Sequence, residues 1–203
     1  MIDWLKGIWV RICWRPNFLT FIELLLLLSV YPLLIYGNPQ WFVEDGVVEN
    51  LQLLICLGCF LVAWCSPHDK DMFRFIALIV ILLICREVNT GRHWLCTYYD
   101  LSYDSRWEEI PYGYVLKWGH NLFAVAIVLY FLVRKIYRPL WHYVQKAPLY
   151  FWEFLFLVVG AILALLAEKP IDNETLEEIA ETLFYVALLN LIWRYVRHRK
   201  VLN

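Results

Sequence analysis

One stretch of this 203-residue chain decides its fold class: FLTFIELLLLLSVYPLLIY, residues 18–36. It carries a single charged side chain, Glu23. A helix of about 20 mostly apolar residues crosses the roughly 30 Å of hydrocarbon in a bilayer. The stretch is too long for the apolar core of a signal peptide, and Tyr36 to Pro39 offer no small-residue cleavage site. We therefore expect it to stay in the protein as a membrane-spanning helix.

Five further stretches have the same character, at residues 46–65, 72–90, 112–133, 148–167 and 175–195. The composition agrees, since 62% hydrophobic and 18% aromatic residues lie outside the usual range of soluble domains. The sequence predicts an all-α polytopic bundle of about six spans, forming one membrane domain over residues 1–203. Residues 2–14 place apolar side chains on one helical face, which predicts a short interfacial helix before the first span.

The distribution of basic residues predicts the orientation of the bundle. With both termini inside, the inner segments hold 13 Lys and Arg residues and the outer segments hold 5. This agrees with the excess of basic residues in short cytoplasmic loops. The long aromatic segment at residues 91–111 then lies outside, where we expect it to cap the bundle.

The charge of the chain limits its partners. A formal net charge of −1 with scattered basic residues leaves no electrostatic footprint for nucleic acid. We expect membrane lipids as partners, whereas the sequence does not indicate a protein partner.

The acidic residues gather on the predicted outer side, where the outer loops and span ends together hold 14 of the 19. Ionisable groups within a bilayer are costly, so they are candidates for function. On the second span, polar and thiol side chains recur every three or four residues, which places them on one helical face. These are Asp45, Glu49, Gln52, Cys56 and Cys59. We expect this face to point into the bundle, because polar atoms facing lipid find no partner.

The candidate site combines acids from several spans with one imidazole. Glu49, Glu87, His120 and Glu181 are the predicted catalytic residues, and with Glu178 they form the predicted metal site. Carboxylates with an imidazole suit one divalent ion such as Mn, Fe or Zn. Such an ion can activate water or polarise a group presented by a lipid. Arg86, Arg92 and Lys117 are the predicted anchors for an anionic substrate group.

A structural interpretation of the same residues remains open. Acids in the first turn of a helix stabilise its dipole, as Asp45 or a capping box from Thr175 to Glu178 would do. Glu87 would then pair with Arg86 or Lys117, and His120 would be a hydrogen-bonded core residue. Glu23 and Glu153 are interpreted as structural, because near the inner boundary they can reach water or pair with Arg15 or Lys146.

Three short motifs resemble a family of uncharacterised bacterial multi-pass inner-membrane proteins. They are Asp45-Gly46 with Glu49 at a span start, Arg86-Glu87 before Gly91-Arg92, and Leu176-Glu177-Glu178 at the start of a late span. The resemblance implies a location in the bacterial inner membrane and implies no activity.

Three functions therefore remain in view. The first is a membrane enzyme or ligand-binding protein with a carboxylate and histidine site open to the outer leaflet, acting on a lipid or lipid-linked substrate. The second is a small transporter or channel, which needs polar groups through both leaflets. The third is a non-catalytic assembly partner in the membrane.

Overall fold

The computed structural model describes residues 11–42, 46–88, 92–101 and 106–198. Of these described residues 79% are helical, which confirms the all-α fold class. Its main helices are α1 (Phe18–Tyr36), α2 (Val47–Trp64), α3 (Lys70–Glu87), α4 (Arg92–Tyr98), α5 (Gly113–Val133), α6 (Tyr137–Lys146), α7 (Phe151–Leu166) and α8 (Glu174–Arg197). A 3-10 turn (Pro39–Trp41) and a π-helical turn (Ala167–Ile171) complete the helical elements.

Five helices are long and apolar enough to cross a membrane: α1, α2, α5, α8, and α7 together with its π-helical turn. They leave large apolar side chains exposed, such as Leu25, Leu54 and Leu122, each more than 60% accessible. Exposed apolar surface on this scale is compatible with an integral multi-pass membrane protein. The remaining predicted span, residues 72–90, corresponds to α3, which has 18 residues and carries charged side chains at both ends.

The central helix of the bundle is α8. It packs against α7, α2 and α1, while α3 packs on α2 and α5 on α3. The closest approach is at Gly160 of α7, where a Cβ atom would lie 2.8 Å from the backbone nitrogen of Phe184. A glycine is therefore required for α7 and α8 to pack this closely.

Asparagine side chains begin two of the helices. The Asn17 side chain accepts a hydrogen bond from the Thr20 backbone N–H, and the Thr20 hydroxyl oxygen accepts one from the Asn17 backbone N–H. This reciprocal pair is a capping box at the start of α1. At α8 the cap is Asn173, which accepts from the Leu176 N–H. The predicted capping box at Thr175 is therefore wrong, because the cap residue of the helix lies two residues earlier, at Asn173.

Two segments differ from the sequence prediction. A helix, α6, occupies residues that were expected to form a loop. A hydrogen bond connects α6 to the start of α3, since the Tyr143 hydroxyl donates to Asp69 Oδ2 at 2.6 Å. Burial, together with this carboxylate, raises the pKa of Tyr143.

The second difference lies before the first helix. Ile12–Cys13 (β1) pairs in parallel with Leu149–Tyr150 (β2), so the predicted interfacial helix does not extend to residue 14. The rest of that prediction, residues 2–10, lies outside the described residues.

The two ends of the bundle differ in charge, because the long helices bring different polar residues together at each end. One end, called here the acidic end, gathers the start of α2, the end of α3 and the start of α8. The other, called the basic end, gathers the start of α1, the start of α7 and the end of α8. Each end has its own polar cluster.

Candidate functional sites at the two ends of the bundle

At the acidic end, an ion pair joins α3 to α8. Arg86 Nη2 donates to Glu181 Oε1, and the Glu181 side chain is 9% exposed against 57% for Arg86. One turn along α8, the Tyr185 hydroxyl donates to Glu87 Oε1. The Arg86 guanidinium compensates the charge of the buried Glu181 carboxylate, and the Tyr185 hydroxyl provides a hydrogen-bond donor for Glu87.

Gln52 of α2 forms the second part of this cluster and is fully buried. Its Nε2 donates to Glu178 Oε2 at 2.9 Å and to Thr182 Oγ1 at 3.1 Å. Cys56 and Cys59, one and two turns further along α2, are also fully buried. The face of α2 that the spacing predicted to point into the bundle does so at these three positions.

The structure brings together five of the predicted site residues, the predicted anchor Arg86 and the four acids Glu49, Glu87, Glu178 and Glu181. Glu49 is half-buried at the start of α2 and lies within electrostatic range of Glu87 and Glu178, and both of these lie within range of Glu181. The catalytic role assigned to Glu49, Glu87 and Glu181 stays a prediction. Asp45 lies outside the described residues.

The other predicted site residues lie on neighbouring helices. His120 is half-buried in the second turn of α5, which packs on α3, and it takes no part in the hydrogen bonds given above. Lys117, one turn earlier on α5, is exposed. Arg92 begins α4, and its side chain lies outside the described part of the structure.

The predicted metal site is not supported by this arrangement. Within the described residues, no group of three or more His, Cys, Asp or Glu side chains could hold a metal ion. The acids have other partners instead: Glu181 is paired with Arg86, Glu87 accepts from Tyr185 and Glu178 accepts from Gln52. The Arg86 guanidinium therefore provides the positive charge that the sequence interpretation assigned to a metal ion.

A cavity of about 370 Å³ opens beside the ion pair, between α3, α7 and α8. Its polar wall carries Arg86, Glu168 and Glu181. Its apolar wall includes Ala164 of α7 and Phe184 of α8. Charged and apolar surfaces thus face one small space.

At the basic end, a second cluster is fully buried. Glu23 of α1, Glu153 of α7 and Asn190 of α8 each have no measurable exposure. Asn190 Nδ2 donates to Glu23 Oε1 at 2.7 Å, and the Thr20 hydroxyl donates to Glu153 Oε1 at 2.9 Å. The expectation that Glu23 and Glu153 reach water is therefore wrong, because three helices close over them.

The cation that pairs with this cluster was also not predicted. Arg194 Nη2 lies 2.9 Å from Glu153 Oε1, so the partner is neither Arg15 nor Lys146. Among the described atoms, Glu23 Oε2 and Glu153 Oε2 are buried without a hydrogen-bond partner. Asn190 and Arg194 are four residues apart and share one face of α8, a spacing that could have identified them in the sequence.

Comparisons with protein-family models, with curated proteins and with solved structures find no match to this chain.

Proposed function

We propose that this integral membrane protein binds an amphiphile, a lipid or lipid-linked molecule, in the cavity at its acidic end. The observation that carries the proposal is that the Arg86–Glu181 ion pair and an apolar wall that includes Phe184 line the same cavity. A headgroup with an attached chain has the same division into polar and apolar parts. Ligand pockets are largely apolar concave spaces with a few placed polar groups.

The charges of the cavity favour a zwitterionic headgroup. Arg86 can bind a phosphate through charge-assisted hydrogen bonds. Glu168 and Glu181 can accept from an ammonium group on the same ligand. Since two carboxylates outweigh one guanidinium, a purely anionic headgroup is disfavoured here.

The neighbouring acids allow the site to carry chemistry on the bound molecule. Glu181 lines the cavity, as does Tyr185, which donates to Glu87. Carboxyl groups beside a bound ligand can transfer protons as general acids or bases. The excess of basic residues at the opposite end favours an acidic end outside. A location in the bacterial inner membrane is what the resemblance of the three short motifs implies.

The test is a ligand-induced change in thermal stability of the purified protein in neutral detergent. The comparison is made in a background that carries Arg15→Gln and Arg197→Gln, because these exposed arginines at the opposite end could themselves bind an anionic lipid. There, short-chain phosphatidylethanolamine should raise the melting temperature more than short-chain phosphatidylglycerol, because a ligand that binds only the folded state stabilises it. Ala164→Leu fills the cavity without altering its charge and should abolish that difference.

Glu108→Gln is the control, because Glu108 is an exposed acid that does not line the cavity. It should retain the full response. Equal responses to both lipids in the Arg15→Gln, Arg197→Gln background would contradict the proposed headgroup, and an unaltered response after Ala164→Leu is added to it would contradict the proposed cavity.

A second candidate, transport across the membrane, is favoured by one observation. Buried polar groups occupy both ends of α8, with Glu181 at one end and Asn190 beside Glu153 at the other. The residues between them, including Leu183 and Ala187, are tightly packed. Transport would require this layer to open. Solute uptake into proteoliposomes that contain the protein would favour the second candidate if Leu183→Ala increased its rate.

A further inference from the structure

A second cavity, of about 600 Å³, lies at the basic end between the start of α1 and the end of α8. Its cationic side chains are Arg15, Arg194 and Arg197, and His198 also lines it. It contains no carboxylate among its lining residues and is independent of the cavity at the acidic end.

One of these cations is held in place by its neighbours. Arg194 contacts Glu153 Oε1, donates to the Arg15 carbonyl oxygen at 2.8 Å and lies 4.8 Å from the centre of the Tyr150 ring. Its Nε is buried and has no hydrogen-bond partner among the described atoms. The guanidinium is thus ordered while one of its donors stays unused.

The other two arginines provide the excess charge. Arg197 lies 4.0 Å from the centre of the Trp193 ring, a cation–π contact that leaves its N–H donors available. Among the described residues, the only carboxylate ion pair at this cavity is that of Arg194, so Arg15 and Arg197 remain uncompensated. The cavity therefore carries at least two positive charges that no described acid neutralises.

The surroundings of the cavity are those of a membrane surface. Phe18, in the first turn of α1, is 77% exposed, and Trp193 is 37% exposed near the end of α8. Both residues line the cavity. Aromatic residues at span ends lie at the level of lipid headgroups. The cations thus lie beside side chains suited to the start of an acyl chain.

We propose that the cavity at the basic end binds the phosphate headgroup of an anionic phospholipid. Basic pockets between spans on the cytoplasmic side of a membrane bind such headgroups. Arginine guanidinium groups fit phosphate oxygens through paired hydrogen bonds. The lipid would hold the ends of α1 and α8 together by bridging Arg15 and Arg197.

The experiment measures apparent affinity from the melting temperature of the full chain in neutral detergent. The probes are short-chain phosphatidylglycerol, short-chain phosphatidylcholine and inorganic phosphate. Phosphatidylglycerol should stabilise the protein, and the other two should have little effect at equal concentration. Arg15→Gln and Arg197→Gln should each weaken the response to phosphatidylglycerol about fivefold, which corresponds to about 1 kcal/mol per basic residue.

Arg138→Gln is the matched control. Arg138 is an exposed arginine on α6, among the other basic residues of this end, and does not line the cavity. It should bind phosphatidylglycerol as the unaltered protein does. An equal loss in Arg138→Gln would overturn the proposal in favour of general surface attraction, and so would equal responses to phosphatidylglycerol and phosphatidylcholine. A full response to inorganic phosphate alone would overturn the assignment to a lipid.

Arg15 and Arg197 are both exposed, so their substitution leaves the core intact.

Discussion

Glu23 and Glu153 are equally buried, yet their partners give them different energetic roles. Glu153 pairs with Arg194, whereas the hydrogen-bond partner of Glu23 is the neutral amide of Asn190. Removing one partner of a buried ion pair leaves the other charge uncompensated. Removing a buried charge that has no cationic contact relieves a desolvation cost. The two carboxyl groups should therefore respond differently to the same substitution.

We predict that Glu153→Gln lowers the free energy of unfolding by roughly 3 kcal/mol, the lower end of the range for breaking a buried pair. The matched variant Glu23→Gln should change it by less than about 1 kcal/mol, because the amide oxygen can still accept from Asn190. Denaturant unfolding in detergent measures both values. Equal losses would show that Glu23 also depends on its charge.

The sequence predicted the inward face of α2 but missed the environment of Glu23 and Glu153. Spacing along one helix is sufficient to place Gln52, Cys56 and Cys59 on a common face. The burial of Glu23 depends instead on which face a distant helix, α8, presents to it. Depth along the helix axis alone suggested a carboxylate close to water, and the packing of three helices overrode it.

The helices α7 and α8 approach each other closely at Gly160. A Cβ atom at Gly160 would meet backbone atoms of Phe184 and Ala180 at 2.8 and 3.0 Å, which cannot move without displacing the helix. At Gly58 of α2, the nearest atoms belong to the flexible Leu189 side chain, at 3.8 Å. Both glycines lie within apolar stretches of the sequence, but only Gly160 lies against the backbone of another helix.

We predict that Gly160→Ala destabilises the protein by about 1–3 kcal/mol, the usual cost of overpacking. Gly58→Ala should be neutral or stabilise it by up to about 1 kcal/mol, since alanine favours the helix more than glycine does. Thermal unfolding in detergent distinguishes them. A stable Gly160→Ala protein would mean that α7 and α8 pack less closely than described.

Most of the long apolar helices could be predicted from hydropathy, because a run of apolar residues of sufficient length needs no tertiary information. The helix α6 was missed although its buried side chains Ile136, Tyr143 and Ala147 lie at helical spacings. Residues 134–147 lie between two predicted spans and were expected only to connect them. Proline is tolerated in the first turn of a helix, and that is where Pro139 lies.

The molecule as a whole is polarised from one end to the other. Glu49, Glu87, Glu178 and Glu181 gather at the acidic end, whereas Arg15, Arg194 and Arg197 surround the cavity at the basic end. Composition could predict this asymmetry, since 13 of the 18 basic residues fall in alternate connecting segments and termini. The sequence could not predict that each end also contains a cavity, because a cavity depends on packing among helices distant in sequence.

The proposal of six spans requires α3 to cross the membrane with the other long helices. Arg86 at one end of α3 contacts Glu181 near the start of α8. Asp71 at the other end lies 3.4 Å from the hydroxyl of Tyr130, near the end of α5. A helix whose ends meet opposite ends of its neighbours runs the length of the bundle, which supports this proposal.

Reporter fusions test the account most directly. Alkaline phosphatase is active outside the inner membrane and green fluorescent protein fluoresces inside it, so each is fused in turn at Ser105 and at Asn203. With six spans, an acidic end outside and a basic end inside, phosphatase should be active at Ser105 and green fluorescent protein should fluoresce at Asn203. Phosphatase activity at Asn203, or fluorescence at Ser105, would contradict this arrangement of the two sites across the membrane.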